Sequence, residues 1–185
     1  MPRPSIAAVL LLAPFAVAGV PAGGAAAQER DPIPLSQHQV VSQSIGWVDV
    51  EVEYRRPVAR DRELFGSLVS WDEEWTPSAD SAMVISVSDD VWFAGEPVAA
   101  GSYSLWLVPR RDAAWTLVLS RAARIFHAPY PAGRDFLRVS VDPTSGDHVE
   151  TLQIAFPVVS GPEALMEVQW GETRLPIPIR ILPPG

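Results

Sequence analysis

Over residues 83–120 (MVISVSDDVWFAGEPVAAGSYSLWLVPRRDAAWTLVLS) apolar residues recur at every second position. They are Met83, Ile85 and Val87, then Tyr103, Leu105 and Leu107, then Trp115, Leu117 and Leu119. A period of two belongs to a strand, whose side chains alternate between faces, and not to a helix. Between the apolar runs lie Asp89-Asp90, Ala94-Gly95, Ala100-Gly101 and Pro109-Arg110-Arg111-Asp112, residue types that tolerate or impose turn dihedrals. Strands joined this closely pair antiparallel, because a parallel crossover takes a dozen or more residues. The stretch is predicted to be a meander of short strands at the centre of an all-β domain.

The alternation continues on both sides. Strands are predicted over 39–45 and 47–55, where Val48, Val50, Val52 and Tyr54 alternate with Asp49, Glu51, Glu53 and Arg55, one face core and the other solvent. Further strands are predicted over 136–141, 148–156, 165–170 and 173–181, separated by Pro143 and Gly146, by Gly161-Pro162 and by Gly171. In the last of these Pro176 and Pro178 share one face; proline donates no ladder hydrogen bond, so this strand is expected at a sheet edge. About eight to ten strands without a long helix or a repeat predict an antiparallel two-sheet β-sandwich of jelly-roll type. It would be a single domain over 39–182. Two stretches break the rhythm. Residues 56–82 contain Pro57, Gly66 and Pro77, and residues 121–134 contain Pro129, Pro131 and Gly133, with a helical turn expected over 121–126. Long connections in a compact domain are often functional, and the first is where a site is expected.

Composition narrows the chemistry. The 185 residues include no Cys, Lys or Asn, which excludes disulfides, thiol catalysis, thiolate metal sites, Schiff-base chemistry and N-glycosylation. A formal net charge of −8 opposes phosphate backbones and anionic membranes, so nucleic acid is not an expected partner. Residues 1–27 carry Arg3, an apolar run over 6–18 and Ala25-Ala26-Ala27, the pattern of a cleaved export signal. The apolar run is shorter than the roughly 20 residues that span a bilayer and is interrupted by Pro14. Cleavage after Ala27 would leave a short tether over 28–38, no transmembrane segment, and a periplasmic or extracellular protein.

Several segments taken together resemble a known family. SQSIGWVDVEVEYRRP (42–57), ELFGSLV (63–69), Trp75-Thr76-Pro77-Ser78-Ala79-Asp80, GEPVAAGSYSLWLVP (95–109) and WTLVLS (115–120) are similar in order and spacing to DUF2911, a bacterial family of unknown function. The resemblance covers nearly all of the chain after residue 40 and implies an exported all-β protein. Many members resemble W-R-x-G-A-N-E-A-T at the second Trp segment, where this chain has Thr76 and Asp80. A ligand held by the usual Arg and Asn would be held differently here or not at all.

Three constellations are candidates for a site. His148 and Glu150 lie in phase with Leu152, Ile154 and Phe156, so they share a strand face. With His127 and Asp80 they offer imidazole and carboxylate ligands for a divalent metal, or they begin the strand in solvent; the two-histidine strand motif of cupins is absent. No other cofactor is expected. His127, Tyr130 and Asp135 offer acid–base chemistry at neutral pH or a loop pinned by hydrogen bonds. No G-x-S-x-G or H-E-x-x-H occurs, and Asp72-Glu73-Glu74 and Asp89-Asp90 read as solvated charge. Seven Trp motivate the third. Trp106, in phase with Ser102 and Ser104, and Trp47 would be exposed aromatic platforms, or else Trp71 and Trp75 of the long loop cover that face. The leading functional expectation is a non-catalytic module binding a small molecule, glycan or envelope component through Trp75, Asp80, Trp106, His127 and Tyr130. A metal-dependent enzyme and a structural or assembly protein of the envelope are the alternatives.

Overall fold

The computed structural model describes residues 33–181. The chain divides into two units, Met1–Ile33 and Pro34–Gly185, and all ten strands lie in the second. The expected export signal and the expected tether as far as residue 32 fall outside the described residues. Two antiparallel sheets form the sandwich. In the first, six strands follow the order β1 (Gln37–Ile45), β2 (Val48–Arg56), β3 (Met83–Val87), β6 (Gly101–Val108), β7 (Trp115–Ser120) and β8 (Asp135–Val141). In the second the order is β5 (Glu96–Val98), β4 (Val91–Phe93), β10 (Glu163–Ile181) and β9 (Thr144–Ser160). Among the described residues there is no helix, including over 121–126, and none long and apolar enough to cross a membrane.

The core is what the alternation dictates. Val48, Val50, Val52, Ile85, Leu105, Leu107, Leu117 and Leu119 of the first sheet meet Phe93, Leu152, Ile154, Met166, Ile177 and Ile179 of the second, all at most 5% exposed. One expectation needs revision: the predicted meander is not a single sheet. β3, β6 and β7 are neighbours, but the β4–β5 hairpin between β3 and β6 crosses to the second sheet. It does so because Val91, Phe93 and Val98 are apolar on the side that faces the core from there, and all three are buried.

The second sheet also revises the reading of the last strand. An extended 19-residue β10 would span roughly 60 Å. Yet the Ile181 amide donates to the Pro162 carbonyl at 2.9 Å, so the ribbon doubles back, with Gly171 at φ +57° marking the reversal. The returning half is not an edge, since Ile179, Arg180 and Ile181 pair with Phe93, Trp92 and Val91. The prolines are tolerated for a local reason. The Pro178 carbonyl accepts from the Ala94 amide at 2.8 Å; in an antiparallel ladder a residue's N–H and C=O point to the same neighbour. Its missing N–H therefore falls on the β4 side, just past Phe93, where that ladder ends.

The two sheets are stitched at a corner. Beyond β2 the chain leaves the first sheet and runs along β9, with the Leu152 amide donating to Pro57 at 2.9 Å and the Ala59 amide to Glu150 at 2.8 Å. A strand that changes sheets in this way closes the end of a sandwich.

Candidate functional site

The two long connections assemble the site by pairing with the sandwich and with each other. Trp75 takes the place of β3 beside the end of β6: its amide donates to Leu107 at 2.8 Å and its carbonyl accepts from Leu107 at 2.7 Å. Thr76, 2% exposed, secures the junction. Its hydroxyl donates to the Leu105 carbonyl and accepts the Met83 amide, both at 2.9 Å. Further on, the Ala82 amide donates to Ile125 at 3.0 Å and the His127 amide to Asp80 at 3.2 Å, a short antiparallel ladder between the connections. That ladder brings His127 to Asp80.

Between this ladder, the 57–62 corner and the end of the core lies an open recess of about 390 Å³. Trp75, Asp80 and His127 line it together with Arg60, Thr76, Ser78 and Trp170. Trp75 is held in place rather than free. It stacks on Trp170 at 5.8 Å between centroids and 14° between planes, with Phe65 edge-on at 6.0 Å. Asp80 sits at φ +65°, a left-handed conformation that Asn and Asp adopt more readily than most residues. Arg55 approaches Asp80 at 3.8 Å. Thr76, by contrast, has its hydroxyl committed to the fold.

The other expected residues lie elsewhere. Trp106 is 1% exposed and is no platform. Its indole N–H donates to Ser104 at 2.9 Å, and Tyr130 and Ile125 of the 121–134 connection cover it, Tyr130 edge-on at 5.2 Å. Trp71 and Trp75, the expected cover, join the main core instead, because their segment extends the inner edge of β6. Trp47, in the turn between β1 and β2, is 54% exposed. Tyr130 donates to the Asp135 carboxylate. Burial, and then that bond, push its phenol far above the ordinary 10.0, the wrong direction for a base at neutral pH. The Nδ1 of His127 is buried without a protein partner. The expected trio of His127, Tyr130 and Asp135 is thus a bonded pair on the outer face of the first sheet and a histidine in the recess.

His148, Glu150, His127 and Asp80 do not gather either: among the described residues no three His, Asp or Glu side chains group where one metal ion would sit. His148 bonds Glu150 at 3.1 Å, and Glu150 accepts the Arg60 amide at 2.7 Å. Those two bonds hold the Glu150 carboxyl below the usual carboxylate range, that of His148 first. The acceptor serves a strained turn, since Arg60 and Asp61 stand at φ +54° and +55°. Two consecutive non-glycine residues in the left-handed region persist only where surrounding bonds over-determine them. Glu150 therefore positions the Arg60 rim of the recess, a role that sequence phase alone did not reveal.

Two lining residues, Arg60 and Trp170, carried no signal in the sequence that tied them to Trp75. The corner brings one and the β10 reversal brings the other. No curated protein and no solved structure matches this chain. The family model described as a protein of unknown function, DUF2911, matches residues 36–179, from β1 to within the last strand, and the chain belongs to that family.

Proposed function

We propose that this is an exported binding protein whose recess takes a small molecule or a single glycan unit, free or as part of an envelope component. The observation that carries the reading is convergence. Arg60, Trp75 and Asp80 of the first long connection meet His127 of the second and Trp170 of β10 at one recess of about 390 Å³. That volume lies within the few hundred cubic ångströms usual for small-ligand sites. The chemistry suits a ligand with one apolar face and polar edges. Trp75, fixed by its stack on Trp170, offers a preorganised surface for a ring face. Arg60 and Asp80 at the mouth supply a donor fork and an acceptor for hydroxyl or carboxyl groups. Support for export is the sequence pattern of Arg3, the apolar run over 6–18 and Ala25-Ala26-Ala27.

The test is a panel of mono- and oligosaccharides and small aromatic acids, screened by intrinsic Trp fluorescence and thermal shift. The expected result is a saturable hit whose affinity falls at least tenfold in both Asp80→Ala and Trp75→Phe and is unchanged in Trp47→Phe. A hit that binds Asp80→Ala and Trp75→Phe as tightly as the parent would place the ligand elsewhere and remove the proposal.

A further inference from the structure

The four edges of the two sheets are not alike. β5 is three residues long with Pro97 at its centre. β8 carries Asp135 and Arg138 and a register shift against β7. β9 carries Asp147, His148 and Glu150, has register shifts against β10, and is partly flanked by the 57–59 corner. Shortness, proline, charge and irregularity are the devices that keep an edge from pairing with another chain. β1 has none of them apart from His38, whose ring is engaged with Glu53 of β2 at 3.1 Å. Its nine residues, QHQVVSQSI, contain no proline and no Arg, Asp or Glu, and they pair with β2 in unbroken register from Gln37↔Arg56 to Ile45↔Val48.

The register fixes which groups are free. Ile45 and Val48 close the two-residue loop Gly46-Trp47, and the residues closing such a loop form a hydrogen-bonded pair. Counting back by twos, Gln43, Val41, Gln39 and Gln37 turn their backbone groups toward β2. His38, Val40, Ser42 and Ser44 turn theirs outward, and among the described residues no strand pairs with them.

We propose that β1 pairs antiparallel with β1 of a second copy of this chain, about a two-fold axis at Val41, joining the two six-stranded sheets. The strand is self-complementary in that register. Val40 faces Ser42 and His38 faces Ser44, each pair exchanging two bonds, for about eight hydrogen bonds at the axis. On the core side Val41 meets Val41 and Gln39 meets Gln43, with no like charges opposed. Val40, 47% exposed, and the half-buried Gln39, Val41 and Gln43 would be covered by the same contact. A single edge ladder is a small interface, and each copy carries a net charge of −8. The association is therefore weak and strengthens with salt, which screens the repulsion between copies.

The experiment is sedimentation equilibrium of the chain from micromolar to millimolar concentration at low and high salt, with amide hydrogen exchange on the same samples. The dimer fraction should rise with concentration and salt, and the amides of Val40, Ser42 and Ser44 should slow as it does. Ser42→Pro removes an outward N–H that β2 does not use, and Val40→Lys puts a charge beside the axis. Both should remain monomeric over the whole range, with Val40→Lys alone deciding if Ser42→Pro fails to fold. A monomer at millimolar concentration, a dimer that survives Val40→Lys, or a monomeric chain that takes up unrelated extended peptides along β1 would overturn the proposal.

Discussion

The hydroxyl of Tyr54 accepts the backbone amide of Ile154 at 2.9 Å and donates to the Gln39 side chain at 2.7 Å. One side chain of the first sheet thereby satisfies a buried N–H of the second. Tyr54 is 1% exposed, so water cannot replace it. Tyr54→Phe keeps the ring and strands the amide, and a buried donor left without a partner costs about 1–3 kcal/mol. Urea unfolding should show that loss at unchanged m-value. Tyr103→Phe should cost less, because the Tyr103 hydroxyl donates to Ala99 at 3.0 Å next to an exposed turn where water can take its place.

All three tyrosines of the chain are held above the ordinary phenol value of 10.0. Burial is the main cause for each, opposed at Tyr54 by the Ile154 amide and reinforced at Tyr130 by Asp135. A raised folded-state pKa means that the native protein keeps its proton where the unfolded chain has lost it. The stability so contributed is complete below about pH 10 and disappears as pH rises through the folded-state values. An absorbance titration at the phenolate band should therefore rise above pH 10. The step of Tyr54, buried between the sheets, should coincide with the loss of near-ultraviolet circular dichroism.

The strands and their inward residues followed from period-two alternation and the antiparallel pairing from short connections, both local properties, whereas the crossing of the β4–β5 hairpin to the second sheet did not. Where a second segment decides the outcome, the sequence was silent. Alternation put Trp106 on the opposite face from Leu105, but whether that face meets water depended on Tyr130 and Ile125 lying over it. Pro176 and Pro178 pointed to a sheet edge, which the pairing of their strand with β4 contradicts; only the end of β4 at Phe93 shows how the missing N–H is tolerated inside the sheet. At the site, Trp75, Asp80 and His127 were legible as residue types that could converge, and the ladder between the two connections brings them together. His148 and Glu150 were legible as a pair on one face. Their task, bracing a strained turn, depended on the corner at 57–59.

Thr76 is the next point of leverage. Its hydroxyl serves the Leu105 carbonyl and the Met83 amide at once, and the site is 2% exposed. Thr76→Val preserves the shape and leaves both groups unpaired, for a loss of about 2–4 kcal/mol; Thr76→Ser should recover most of it. The same substitution frees the junction that aligns Trp75 with Trp170, so Thr76→Val should also shift the Trp emission of the folded protein, where Thr76→Ser should not.

The rim of the recess should respond to acid through Glu150. Its carboxylate accepts from His148 and from the Arg60 amide, and both bonds lower its pKa from the ordinary 4.5. A carboxyl whose folded-state pKa is lowered holds its full contribution above the unfolded value and loses it as pH falls through the folded one. The Arg60 amide resonance should therefore show an acid transition with a midpoint below 4.5. In Glu150→Gln that midpoint should vanish, because the amide side chain does not titrate. Glu150→Ala removes the acceptor altogether. The left-handed pair Arg60-Asp61 then has one bond fewer opposing its return to ordinary backbone geometry. Trypsin should cut after Arg60 or Arg62 faster than in the parent at neutral pH, while the global melting temperature changes little, since the Glu150 side chain is exposed and bonds only the Arg60 amide and the exposed His148. Unchanged cleavage would mean that the other bonds of the corner, Arg62 to Ala59 at 2.9 Å and Ala59 to the Glu150 carbonyl at 2.8 Å, hold the turn without the carboxylate.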